Sequence, residues 1–145
     1  VFFDLYNNRI KDIDFWWDRA LNFDGETGPY VQYTHARCCS VLRKAGECPS
    51  QPNFEGLADP EAQNVVRLIE QFPDIIQDSL ERNEPSLVTR FSVDLAQAYN
   101  KFYYERRILD DDMGVRAARL LLTDMTRQTI KTALALIGIE SPEKM

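Results

Sequence analysis

Ser86-Leu-Val-Thr-Arg-Phe-Ser-Val-Asp-Leu-Ala-Gln-Ala-Tyr-Asn-Lys-Phe-Tyr-Tyr-Glu-Arg-Arg107 is the stretch that decides the fold class. Its apolar anchors are Leu87, Phe91, Leu95, Ala98 and Phe102, at steps of four, four, three and four. Those steps return to one face of a 3.6-residue period, whereas a half-buried strand would alternate every second residue. The segment is therefore read as a long amphipathic helix. Asn83-Glu84-Pro85-Ser86 resets the chain just before it.

Working outward, the same period recurs on both sides. After Thr27-Gly28-Pro29, a helix is expected over Tyr30 to Lys44, with Val31, Thr34, Cys38, Val41 and Leu42 on one face and Gly46 as its stop. Asp59-Pro60-Glu61 reads as a cap followed by proline at the first helical position, leading into Val65, Val66, Leu68 and Ile69. Pro73 is expected to divide this helix from a third one carrying Ile75, Ile76 and Leu80. After Asp110-Asp111-Asp112, a last helix carries Val115, Ala118, Leu122, Met125, Ile130, Ala133 and Ile137, and ends at Gly138. The expectation is an all-α, five-helix bundle. Residues 1–26 differ: Phe2, Phe3, Phe15, Trp16, Trp17 and Phe23 crowd among charged residues without caps or a clear period. Two readings stay open for them, a satellite core folded back on the bundle or a surface that needs a partner.

With 145 residues, 44% of them hydrophobic and 28% charged, the chain can bury one core without disulfide or metal staples. Gly and Pro number 6 and 7, and the apolar residues are dispersed, so collagen-like, low-complexity and membrane-spanning sequence are excluded and a soluble domain is expected. The formal charge of −6 disfavours a general nucleic-acid binder, DNA included, that relies on an excess of positive charge. The charge is uneven, however. Residues 1–85 hold 8 Lys or Arg against 15 Asp or Glu, and residues 86–145 hold 9 against 8, so the second half is the better face for an anion. Cys38, Cys39 and Cys48 cannot all pair, and no basic, cleavable leader opens the chain, which points to a reducing cytoplasm. The missing initiator Met points to a piece of something longer.

His35 is the only histidine, and it lies in no recognisable catalytic motif, so a hydrogen-bonding or packing role is weighed beside general acid–base catalysis. His35, Cys38 or Cys39, and Cys48 offer soft metal ligands but lack paired C-x-x-C spacing. Adjacent helical cysteines point about 100° apart, which is a poor chelate and a good core filler. No Gly-rich phosphate cradle of either common type is present. In Asn100-Lys101-Phe102-Tyr103-Tyr104-Glu105-Arg106-Arg107, aromatics beside arginines suit stacking of an unpaired base with the cation on phosphate, although part of any such stripe must face the core.

Phe23-Asp24-Gly25-Glu26-Thr27-Gly28-Pro29-Tyr30-Val31-Gln32-Tyr33-Thr34-His35-Ala36-Arg37 resembles the start of the anticodon-binding domain of arginyl-tRNA synthetases, which are class I enzymes. The resemblance resumes at Leu95 to Tyr103, at Arg116 to Leu120 and at Thr126 to Gln128, and closes with Leu136-Ile137-Gly138-Ile139-Glu140-Ser141-Pro142-Glu143-Lys144-Met145. It implies a helical bundle over residues 27–145 that receives the anticodon loop of arginine tRNA. It also implies that residues 1–26 trail from the catalytic, stem-contacting region. The His-Ile-Gly-His and Lys-Met-Ser-Lys-Ser signatures of that family are absent here, so ATP and the attachment of arginine are expected to belong to a catalytic domain outside this chain, with no cofactor and no membrane as partner of the chain itself. The resemblance places Tyr103 and Met145 at the pocket for anticodon bases, with Asn100 and Arg127 as polar partners. It places Gly25 and Gly28, with Tyr30, Gln32, Tyr33 and Arg37 behind them, between the two domains. The sequence departs from the family at Arg106 and Arg107, where the added charge suits phosphate contacts, and at Lys144, where arginine is commoner. The reading set against this one is an acidic helical module that binds a protein through its exposed aromatics.

Overall fold

A computed structural model of the chain describes residues 1–6, 16–20, 25–47 and 51–145, and among them every regular element is helical. In chain order these are α1 (Phe2–Tyr6), α2 (Trp17–Ala20), α3 (Gly28–Ala45), a 3-10 turn (Phe54–Leu57), α4 (Pro60–Arg82), α5 (Ser86–Glu105) and α6 (Met113–Leu136). Five of the α-helices have five residues or more, but they are not the five that the sequence divides. Pro73 does not end a helix: α4 runs through it without a break.

The physical reason lies on the opposite face of α4. An interior proline costs about 3 kcal/mol through its missing N–H and its clash with the preceding turn. Leu68 and Ile69 before it, Phe72 beside it and Ile75 after it all pack on the core. Phe72 stacks on Phe91 with ring centroids 4.9 Å apart. Each of these side chains is partly buried and returns less than the roughly 1.5 to 3 kcal/mol of full burial, but several together offset the proline's cost, so a continuous helix with Pro73 on its solvent face is preferred.

The ends follow local chemistry. Thr27 caps α3 by accepting from the Tyr30 N–H at 3.3 Å, and Gly46 at φ 61° stops it. Asp59 accepts from Ala62 and caps α4, which Asn83 closes in the left-handed conformation. Asp112 accepts from Gly114 and Val115 to start α6.

α5 is the central helix and packs against α1, α3, α4 and α6. It buries Phe91, Leu95, Tyr99 and Phe102. Thr34, Thr89, Thr123 and Thr126 are buried without loss because each hydroxyl donates to the carbonyl four residues back. Of the amino-terminal aromatics, Phe2 is core: its Cβ lies only 3.1 Å from where a Cβ on Gly28 would stand, so α1 reaches α3 because residue 28 has no side chain. Trp16 and Trp17 are exposed, and Phe15 and Phe23 lie outside the described residues. No helix among the described residues is long and apolar enough to cross a membrane.

Candidate nucleic-acid interface

The helical pitch of α3 brings Tyr33 and Arg37 to one face, and the C-terminal turn of α5 presents Tyr103 and Tyr104 toward them. The Arg37 guanidinium sits 4.9 Å from the Tyr33 ring centroid, 4.9 Å from Tyr103 and 5.0 Å from Tyr104. It donates to Asn100 Oδ1 at 2.6 Å and to the Tyr104 hydroxyl at 3.0 Å. Asn100 is buried beneath it, and its Nδ2 donates to the Tyr30 hydroxyl and to Thr34 Oγ1, both at 2.9 Å. A planar cation among three ring faces is the geometry in which cation–π attraction and hydrogen bonding reinforce each other. Burial works against the Arg37 charge, yet the hydroxyls of Tyr33 and Tyr104 hold the group above the ordinary arginine value.

These residues form one end of an open groove of about 870 Å³. Arg43 and Lys44 from α3, Arg106, Arg107, Ile108 and Leu109 from the α5 exit, and Glu143, Lys144 and Met145 from the C-terminus complete it. Six basic side chains line it against one carboxylate, in a chain whose net charge is −6. Two of the six are already engaged: Arg106 contacts Glu61 at 2.7 Å and Asp59 at 3.5 Å, and Arg107 contacts Asp111 at 2.8 Å. Arg43, Lys44 and Lys144 have no carboxylate partner among the described ion pairs.

The C-terminal segment reaches the groove along α3. Gln32 Nε2 donates to the Glu140 carbonyl at 2.8 Å, His35 Nδ1 bonds the Pro142 carbonyl at 2.9 Å, and the Arg43 guanidinium stands 3.5 Å from the Glu143 carbonyl. His35 is thus a buried, hydrogen-bonded residue whose pKa is lowered, first of all by burial. Its neighbour Cys39 lies 3.9 Å away, Cys38 is fully buried with its thiol pushed up to about 12 by burial, and Cys48 is outside the described residues.

Among the residues singled out from the sequence, Tyr103, Arg106 and Met145 line the groove together with Tyr33 and Arg37. Asn100 supports it from below. Arg127 does not line it: it pairs with Asp124 within α6 at 2.7 Å. Tyr30, Gln32, Tyr33 and Arg37 lie in α3, within the helix expected there, while Gly28 begins that helix and Gly25, at φ 113°, precedes the Thr27 cap. Arg43 and Lys44 are groove residues the sequence left unmarked, and Tyr104 was read only as part of the Asn100 to Arg107 run. For Tyr104 the signal was present in the Tyr103-Tyr104 pair, but a single helix cannot tell which of two adjacent rings faces another helix.

This all-α architecture, with a basic, tyrosine-lined groove at the meeting of two helices and the chain end, agrees with a match over residues 31–145 to the DALR anticodon binding domain family. The chain belongs to that family. Across its whole length it is similar to the arginine–tRNA ligases of Clostridioides difficile, at 53% identity, and Alkaliphilus metalliredigens, at 52%. It spans 26% of the length of each. Among solved structures, the arginyl-tRNA synthetase of Thermus thermophilus is similar with a TM-score of 0.90 and 36% identity, over 99% of this chain and 25% of that one. That of Plasmodium falciparum is similar with a TM-score of 0.83 and 29% identity, over 99% and 26%.

Proposed function

We propose that the chain is the anticodon-binding part of a cytoplasmic arginine–tRNA ligase, that its groove takes unstacked anticodon bases of arginine tRNA, and that the ATP-dependent attachment of arginine is performed by a catalytic domain outside it. The observation that carries this reading is the Arg37–tyrosine cluster at the end of a basic groove. Tyr103 and Tyr104, 36% and 72% exposed, offer aromatic faces on which a base can stack. Arg43, Lys44 and Lys144 stand where the flanking phosphates would pass. Met145 is 56% exposed at the rim and offers an apolar surface suited to packing on a base.

The test is binding of arginine tRNA, and of the same tRNA with its central anticodon base changed, at two salt concentrations. Salt-dependent binding with discrimination between the two RNAs is expected. Equal binding of both would reduce the groove to phosphate contacts. No binding at either salt would refute the reading and favour a protein partner on the exposed Trp16 and Trp17.

A further inference from the structure

The chain beyond Ile139 is held in an unusual way. Ile139 makes the last backbone-to-backbone hydrogen bond, to Leu134 at 2.9 Å, and among the described residues 140–145 make none. What fixes these six residues is a set of side chains from α3. Gln32, His35 and Arg43 follow one another along that helix, and the Glu140, Pro142 and Glu143 carbonyls that they meet follow in the same order. The two inner bonds, from Gln32 and His35, are short; the outer pair from Arg43, at 3.5 Å, is long. His35 is 1% exposed, so its bond to Pro142 is shielded from competing water.

We propose that Gln32 and His35 are positioning residues that dock the C-terminal tail on α3 and so set Met145 at the groove before any RNA arrives. This rests on the anticodon reading above for its consequence in binding, but the docking itself does not. A tail that is ordered in advance loses no conformational freedom on binding, whereas a tail docked only part of the time lowers the apparent affinity by the docked fraction. Neither side chain touches the RNA; both act through the position of residues 140–145.

Two measurements on the 145-residue chain test this. The first needs no RNA: the rate at which a carboxypeptidase releases Met145 and Lys144. Gln32→Ala and His35→Leu are expected to raise it at least tenfold. His35→Asn, whose amide N–H stands where the ring Nδ1–H does, is expected to restore slow release. Gln32 is only partly buried, so its variant folds even where His35→Leu does not. Equal release from all variants would overturn the docking role. The second is affinity for arginine tRNA. Each disruptive variant is expected to weaken it about tenfold in the full chain and less than twofold in a chain truncated after Ile139. The same loss in both backgrounds would overturn the proposal, because the side chains would then act elsewhere than through the tail. An unmutated chain that binds no arginine tRNA would refute the anticodon reading and the consequence for affinity, while the release rates alone would still decide the docking.

Discussion

Arg37→Met replaces the cation at the centre of the tyrosine cluster by an unbranched side chain of similar length, and its cost can be worked from the structure. Three ring centroids lie within 5.0 Å of the guanidinium carbon. At partly exposed sites such contacts contribute about 0.5 to 1 kcal/mol each, and because one cation serves all three, about 1 to 2 kcal/mol together. Asn100, only 6% exposed, loses the donor to its Oδ1, and an unsatisfied buried acceptor costs about 1 to 2 kcal/mol. The thioether recovers about 0.5 to 1 kcal/mol by packing against the rings. The net expectation is a loss of about 2 kcal/mol of folding stability, a fall of about 6 °C in Tm for a domain of this size. Urea denaturation followed by far-UV circular dichroism measures it without RNA. In an Asn100→Ala background the stranded acceptor is gone, and Arg37→Met should cost about 1 kcal/mol less than in the parent. A loss below about 0.5 kcal/mol, or an identical loss in both backgrounds, would refute the claim that Arg37 and Asn100 form one coupled unit.

Burial keeps His35 neutral below the ordinary histidine range, aided by Arg127 and Lys131 and opposed by the Pro142 carbonyl and Glu143. The unfolded chain takes up this proton near pH 6.5 and the folded chain does not. Stability therefore falls as pH drops below about 6.5, by at most about 1.4 kcal/mol per unit, until the folded value is passed. His35→Asn should remove this part of the slope, as read by denaturation of the parent and the variant at stepped pH. Gly28→Val should destabilise the chain by about 1 to 3 kcal/mol through overpacking against Phe2, a loss that should be absent in a chain lacking residues 1–6. Tyr103→Ala should weaken arginine-tRNA binding by about 1 to 3 kcal/mol with little change in salt dependence. Lys144→Ala should reduce the log–log salt slope by about 0.7, while Arg106→Ala, whose charge already faces Glu61 and Asp59, should reduce it less.

The secondary structure was legible where local chemistry acts alone. The Leu87 to Phe102 period, the Asp59 cap and the Gly46 stop are written in single residues and their neighbours, and each stands where the sequence puts it. Pro73 was misread because its local penalty is outweighed by core contacts of Phe72 and Ile75, which depend on where α5 lies. Among the site residues, Tyr103 and Met145 came from the resemblance, and their meeting required the tail to fold back along α3. For the amino-terminal aromatics the sequence leaves two readings open, and the structure divides them: Trp16 and Trp17 are exposed while Phe2 is core, a placement that rests on a missing Cβ at Gly28.

By itself the sequence determined the helical class, the Asp59 cap and the Gly46 stop, the family and the excess of acid over base, because periodicity, turn chemistry and charge are properties of neighbouring residues. Only the tertiary structure decided that the groove is basic in an acidic chain. Arg37, Arg43 and Lys44 on α3 and Lys144 in the tail are far apart along the chain, and packing α3 against α5 and the chain end gathers them at one face, while Asp59 and Glu61 neutralise Arg106 and Asp111 neutralises Arg107. The same packing stacks three tyrosines on a single guanidinium and turns His35, an isolated histidine in the sequence, into an anchor for the last residues of the chain.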